Sequence, residues 1–128
     1  MFGKPDYLAD GTQADVDLVE LDVVEITDQA KLTNSQLNVF ITRTMGSHTS
    51  IEIRYYVKAE VAGSYFELPY RNDADGTITS VPTKITSSTP ANFVDSLPLP
   101  ACVAFKVTAK GVGGLNGAIT AAVMGRDN

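Results

Sequence analysis

The chain has 128 residues, of which 44% are hydrophobic and 20% charged, and this balance predicts one folded domain rather than a disordered chain. Its formal net charge is -5 and it contains no run of Lys or Arg, so its surface is expected to repel phosphate backbones and anionic lipids. No segment approaches the ~20 apolar residues of a membrane span. These features predict a soluble acidic protein that binds neither nucleic acid nor a membrane and that has no cleaved leader.

The first segment, residues 1–13, is predicted to be an N-terminal arm. Its sequence, MFGKPDYLADGTQ, mixes Pro, Gly and Asp without any periodicity. Two interpretations fit this composition: a frayed terminus, and an arm that docks Phe2 and Tyr7 on a neighbouring subunit. Residues 14–128 are then predicted to form a single β-sandwich domain.

Alternation of apolar and polar residues, typical of half-buried strands, begins after the arm. ADVDLVELDVVEITD shows it with a phase slip near Val19 and Glu20, which indicates a bulge or a bend. LNVFITRTM alternates next. The clearest case is SIEIRYYVKAEVAGSYFELPYR, residues 50–71, which predicts a β-hairpin with Tyr55 and Tyr56 on opposite faces of one strand.

The C-terminal half is less regular until its end. Residues 78–89 predict an edge strand or an ordered loop, and PANFVDSLPLP is predicted to be irregular. ACVAFKVTAK and AITAAVMG predict the last two strands, which the glycines of GVGGLNG are expected to join as a hairpin with a positive φ. About seven or eight short strands without a long helix predict an all-β fold, an antiparallel two-sheet β-sandwich that is either jelly-roll or immunoglobulin-like.

Catalytic and metal sites are not indicated by the sequence. The one histidine, His48, is adjacent to Ser47 and close to Ser50 in a short turn, which cannot easily present a nucleophile and its base to one substrate atom. One His and one Cys far apart make no tetrahedral metal set, and NDADGT lacks the first and last ligands of a calcium loop. Cys102 lies in an apolar run and is predicted to be a buried structural thiol. We therefore expect no enzyme activity, metal or cofactor.

Acidic and aromatic side chains leave open alternatives. Asp15 and Asp17 are expected on one outward face, where solvated carboxylates favour solubility or block edge pairing. The hairpin aromatics are expected to serve the core on one side and, on the other, a protein contact or a carbohydrate platform. Tyr56 and Phe66 are the candidates for the side away from the core.

A family resemblance adds a function. The order IEIRYYVKAE, GSYFELPYRND and AFKVTAKGVGGLNGAITAAVMGRD, within residues 37–128, resembles small all-β virion structural proteins of tailed bacteriophages. The resemblance implies a virion location after assembly in the host cytoplasm. It implies a head decoration (cement) protein that stabilises the head by binding the major capsid protein, or another virion component such as a head-tail connector or tail protein.

We also expect a homo-oligomer, with a trimer favoured. Because the resemblance carries no contact motif, the contacts are chosen on physical grounds: Phe2 and Tyr7 in the arm, and Tyr56 and Phe66 in the hairpin. A carbohydrate- or ligand-binding β-sandwich is the alternative function. It requires exposed aromatics clustered with polar side chains in a concavity.

Overall fold

The computed structural model describes residues 6–33, 36–45, 50–68, 70–71, 78–79, 83–86, 91–113 and 117–126. The strands are β1 Asp6–Val16, β2 Leu21–Ile26, β3 Gln36–Met45, β4 Ser50–Lys58, β5 Tyr65–Glu67, β6 Tyr70–Arg71, β7 Ile78–Thr79, β8 Thr83–Thr86, β9 Asn92–Pro98, β10 Ala104–Val112 and β11 Gly117–Arg126. One 3₁₀ turn, Gln29–Leu32, follows β2. No helix in the described ranges is long and apolar enough to cross a membrane.

Nine of these strands form two facing antiparallel sheets. Sheet A has the order β1-β11-β3-β9, and sheet B has the order β2-β10-β4-β5, with β8 also paired to β4. Successive strands alternate between the sheets along most of the chain, and the first strand pairs with the last. This order is that of a jelly roll, in which eight strands make two Greek keys. The predicted two-sheet β-sandwich is confirmed, and its topology is the jelly roll.

The hairpin predicted between the last two strands is wrong. β10 pairs with β2 and β4 in sheet B, whereas β11 pairs with β1 and β3 in sheet A. Gly113, which follows β10, does have a φ of 60°, a conformation that favours glycine. Turn residues predict that the chain changes direction, but they do not distinguish a return to the same sheet from a crossing to the other. The hairpin between β4 and β5 is present, with Val57 opposite Phe66.

The predicted arm also needs correction, because its residues 6–13 belong to strand β1. This strand lies at the edge of sheet A and pairs with β11 from Asp6 opposite Gly125 onward. Its alternation is interrupted by a register shift at buried Leu8 and by Gly11. A Cβ on Gly11 would lie 2.1 Å from the carbonyl oxygen of Val23, so glycine permits the close approach of β1 to β2.

Strand β9 is a second correction, because its sequence was predicted to be irregular. Asn92–Pro98 forms the other edge of sheet A, with Phe93 opposite Ile41 and Leu97 opposite Leu37. Prolines near each end obscured the alternation, but Pro98 occupies an edge position, where it is tolerated.

The core lies between the inward faces of the two sheets. Sheet A contributes Leu37, Val39, Ile41, Ile119 and Val123, all at most 1% exposed. Sheet B contributes residues such as Ile51, Ile53 and Phe105, which are equally buried. A hydrogen bond of 2.5 Å from the Tyr55 hydroxyl to Asp95 Oδ2 also joins the sheets at the edge strand β9. The predicted inward direction of Tyr55 is thus confirmed.

Candidate functional site

Three adjacent rows in the middle of the outward face of sheet A are almost without acidic or basic residues, and we call these rows the neutral face. Its register places side chains of β1, β11, β3 and β9 in three adjacent rows. The twelve positions are Tyr7, Met124, Asn38, Ser96, Asp10, Ala122, Phe40, Val94, Thr12, Thr120, Thr42 and Asn92. Asp10 is the one acidic or basic residue among these twelve positions, although the whole chain carries a net charge of -5.

Apolar side chains are contiguous on the neutral face. Phe40 lies between Ala122 and Val94 in the central row, and Tyr7 lies beside Met124 in the next row. Tyr7, Phe40 and Val94 remain 59%, 45% and 48% exposed. Directly opposite residues on neighbouring strands are in contact distance, so these side chains form one patch. Contiguous exposed apolar surface rimmed by hydroxyl and amide groups is characteristic of a protein contact.

The outward face of sheet B is ionic, in contrast. Lys106 of β10 lies between Glu25 of β2 and Tyr56 of β4 in one row. Arg54 of β4 donates to Glu52 Oε1 at 2.8 Å and to Glu67 Oε1 at 3.1 Å. Opposite charges therefore alternate across the strands of this face.

A concavity of about 260 Å³ lies on this ionic face, and we call it the tyrosine groove. It is lined by Glu20, Asp22, Tyr56, Tyr65, Lys106 and Thr108. Glu20 reaches it from the bend between β1 and β2, and the residues of β2, β4, β5 and β10 project into it through the strand alternation. Several aromatic and polar groups therefore converge from four strands and one bend.

Carboxylates hold the hydroxyl groups of the tyrosine groove. Glu20 Oε2 accepts hydrogen bonds from the Tyr56 hydroxyl at 2.5 Å and from the Thr108 hydroxyl at 2.6 Å. The Tyr65 hydroxyl donates to Glu25 Oε2 at 2.5 Å. Hydrogen bonds to an ionised acceptor are stronger than neutral ones, so both tyrosine rings are held in defined positions. Their centroids are 6.4 Å apart, at an interplanar angle of 75°.

These contacts shift the ionisation of three groups. Partial burial and the hydrogen bond to Glu20 raise the pKa of Tyr56 to about 12. Partial burial and the hydrogen bond to Glu25 also raise the pKa of Tyr65 above its ordinary value. The pKa of Glu20 is lowered overall. Burial by itself would raise it, but the hydrogen bonds from Thr108 and Tyr56 and the charges of nearby cations outweigh burial. At neutral pH the groove thus presents neutral phenols and a charged carboxylate.

The predicted contact residues are not brought together. Tyr7 is exposed on the neutral face, and Tyr56 lies in the tyrosine groove of the other sheet. Phe66 is 63% exposed and lies opposite Val57, whose side chain faces the core. Of the two hairpin candidates, Tyr56 is therefore the one on the side away from the core, and the predicted contact role of both residues stays a prediction. Phe2 lies outside the described residues.

Other candidate groups bear less on a site. Cys102 is half-buried and packs against the core, and burial raises the pKa of its thiol, although a hydrogen bond with the Ala104 backbone opposes this shift. His48 lies outside the described residues, as does the NDADGT turn of residues 72–77. Within the described ranges, no three His, Cys, Asp or Glu side chains are grouped so that they could hold a metal ion.

Sequence reasoning missed most of the tyrosine groove. Tyr56 was selected as a contact residue, but no site was predicted at Glu20 or Glu25. A signal was available at Glu20, because it lies at the phase slip where β1 ends and the chain crosses to sheet B. A side chain at such a bend is free of strict alternation and can reach over the neighbouring sheet.

Comparison with known proteins extends the fold assignment. No protein-family model matches the chain, and no curated protein matches it. Among solved structures, the crystal structure of the SPBc2 prophage-derived protein YomS is similar, with a TM-score of 0.52 and 20% sequence identity. The match covers 97% of this chain and 96% of that one. At this identity the likeness concerns the fold, which the two chains share over nearly their whole lengths.

Proposed function

We propose that this protein is a structural component of a bacteriophage particle, a capsid decoration protein that binds the major capsid protein through the neutral face. The observation that carries the proposal is the apolar patch around Phe40 on a face with one charge among its twelve positions. A protein contact formed there would desolvate little charge, and desolvated charge is the main cost of polar surfaces at interfaces. The jelly roll shared with a prophage-derived protein supports the particle context.

The size of the neutral face favours assembly on a repetitive surface. Four strands about 4.8 Å apart and three rows of side chains about 7 Å apart cover roughly 400 Å². Each partner in an interface of standard size contributes about 800 Å². One such contact is therefore weak by itself, and a lattice that engages several subunits of one oligomer at once strengthens it. The trimer expected from the sequence would satisfy this requirement.

Particle composition tests the proposal directly. Particles are purified by density from the source lysate, and the copy number of this chain is measured by mass spectrometry against the major capsid protein. A copy number of the same order as the major capsid protein is expected for decoration. A copy number equal to that of one ring of subunits would instead indicate a neck or tail protein. Absence from the particles would overturn the proposal.

The contact itself is tested with Phe40→Asp, which places a charge in the centre of the patch. Rebinding to particles stripped of this protein is measured by co-sedimentation, and the affinity is expected to fall at least ~30-fold, as for a hot-spot residue. Val61→Asp is the matched control, because Val61 is 71% exposed on the β4–β5 turn and receives the same charge. Equal binding by both variants and the wild type would exclude the neutral face as the contact.

A further inference from the structure

The tyrosine groove already holds an amine. Lys106 Nζ lies 4.5 Å from the ring centroid of Tyr65 and 5.4 Å from that of Tyr56. The same nitrogen is 3.3 Å from Asp22 Oδ1. A cation within about 6 Å of an aromatic centroid is attracted by the negative face of the ring. The groove thus has the chemistry of a cation receptor, and its present occupant is a side chain of the protein itself.

The charges around the groove are not balanced by this occupant. Glu20, Asp22 and adjacent Glu25 supply three carboxylates, against two amines from Lys106 and from Lys58, which also lies over the Tyr65 ring. Nearby Arg54 is paired with two further carboxylates, those of Glu52 and Glu67, so the excess of negative charge remains. A carboxylate offers about four acceptor positions, and the tyrosine and threonine hydroxyls use only one or two of them. The groove therefore has the acceptors and the excess negative charge to receive a second cation or to exchange the first for a better one.

We propose that the tyrosine groove binds an arginine side chain of a protein partner, which replaces the amine of Lys106 over the tyrosine rings. A planar guanidinium stacks on aromatic rings and donates to carboxylates through two nitrogens at once, whereas an ammonium acts as a compact, strongly hydrated charge. The long stem of Lys106 lets its amine move aside into solvent. The volume of about 260 Å³ is smaller than most ligand pockets and suits one side chain.

A sugar is a poorer fit to the same groove. It would stack on tyrosine rings that Lys106 engages, and Lys58 Nζ also lies 4.7 Å from the centroid of Tyr65. A neutral sugar would gain nothing from the excess of negative charge. The inference goes beyond the proposed function, because it concerns the opposite sheet and a different chemistry.

The test uses the full-length protein and two small probes, a capped Gly-Arg-Gly peptide and its citrulline counterpart, which is nearly isosteric but uncharged. Backbone amide shifts in β5 and β10 are followed by nuclear magnetic resonance as each probe is added. Only the arginine peptide is expected to shift them, and added salt is expected to weaken its binding. Lys106→Ala should bind it about fivefold more tightly, because the competing amine is gone. Tyr65→Leu should bind it about fivefold more weakly.

Lys110→Ala is the matched control. Lys110 lies on the same strand and outward face as Lys106, opposite Glu52 and about 13 Å along the strand, so its removal changes the net charge equally. Its affinity for the peptide should stay within about twofold of the wild type. The melting temperature of each variant verifies folding. Lys106→Met, which keeps the apolar stem, replaces Lys106→Ala if that variant is unstable.

Four results would overturn the inference: equal shifts with citrulline, weaker binding by Lys106→Ala, tightening by Lys110→Ala as large as that by Lys106→Ala, or no shifts with either probe. Methyl glycosides form a separate arm, and groove shifts with a glycoside but not with the arginine peptide would assign the site to carbohydrate instead. Phe40→Asp should bind the peptide as the wild type does. Failure of the neutral-face contact and failure of the groove are thereby distinguished.

Discussion

The two outward faces of this jelly roll are built on the same alternation but carry opposite chemistry. The neutral face has one acidic residue, Asp10, among its twelve positions and places Phe40 at its centre. The face of sheet B carries paired charges and the tyrosine groove. The inward faces have little freedom, because both must be apolar. The outward faces are free to differ, so their difference carries the information about function. The neutral face suits a dry protein contact, and the ionic face suits recognition of a charged group.

Glu20→Ala tests whether the ionic face is held by its carboxylates. Thr108 is only 2% exposed, and its hydroxyl would lose its acceptor. The Tyr56 hydroxyl would lose the same acceptor. We expect the free energy of unfolding at neutral pH to fall by about 1–2 kcal/mol. The measurement is urea denaturation. Val94→Thr on the neutral face is the counterpart, and it should change stability by less than about 0.5 kcal/mol, because Val94 is 48% exposed.

The same pair of variants has a pH signature. Because the folded protein lowers the pKa of Glu20 below its ordinary value of 4.5, the stabilisation is complete above that pH and is lost as the pH falls through the lowered pKa. The deficit of Glu20→Ala should therefore shrink in acid, while the small effect of Val94→Thr should not follow this titration. A deficit of Glu20→Ala that persists unchanged in acid would show that packing rather than charge holds the bend.

The sequence predicted the layers of this fold better than its connections. Alternation identified β2, β3, β4, β10 and β11, because each of these strands buries one face against the opposite sheet. It failed at the edge strands β1 and β9, where a register shift, Gly11 and flanking prolines disturb the period. Local turn signals also could not show that β10 and β11 lie in different sheets. Sheet membership depends on long-range pairing, which no local pattern encodes.

The candidate surfaces were only partly predictable for a related reason. Strand alternation sufficed to predict that the side chains of Tyr55 and Tyr56 lie on different faces of β4, and this prediction is confirmed. Glu20 and Tyr56 are 36 positions apart in the chain, and the tyrosine groove exists because the fold brings them into contact. The neutral face likewise depends on β1, β11, β3 and β9 being neighbours in that order. Both surfaces follow from topology, so they appear only once the jelly roll is known.

Alkaline titration distinguishes the phenols of the groove. Burial and the hydrogen bond to Glu20 raise the pKa of Tyr56 from 10.0 to about 12. The stabilisation from its neutral phenol is therefore complete below about pH 10 and is lost as the pH rises towards 12. The difference in tyrosinate absorbance between the wild type and Tyr56→Phe should show one transition near pH 12. Glu20→Gln, which removes the charge, should move that transition to lower pH.

Arg54→Gln gives the smallest expected effect, and it asks whether the ionic face contributes to stability at all. The side chains of Arg54, Glu52 and Glu67 are 24%, 20% and 31% exposed, so both ion pairs are partly solvated. Solvated pairs typically contribute about 0.5 kcal/mol each, because water screens the attraction and holding two long side chains in place costs entropy. The loss should be visible in dilute buffer and should disappear at ~1 M salt, where the screening length is about 3 Å. Thr120→Val, which removes a neutral hydroxyl pair with Thr12 on the other face, should be insensitive to salt. A loss above ~2 kcal/mol for Arg54→Gln at every salt concentration would mean that the charges maintain the sheet. A small, salt-sensitive loss would mean that these charges can exchange partners with little change in the free energy of unfolding.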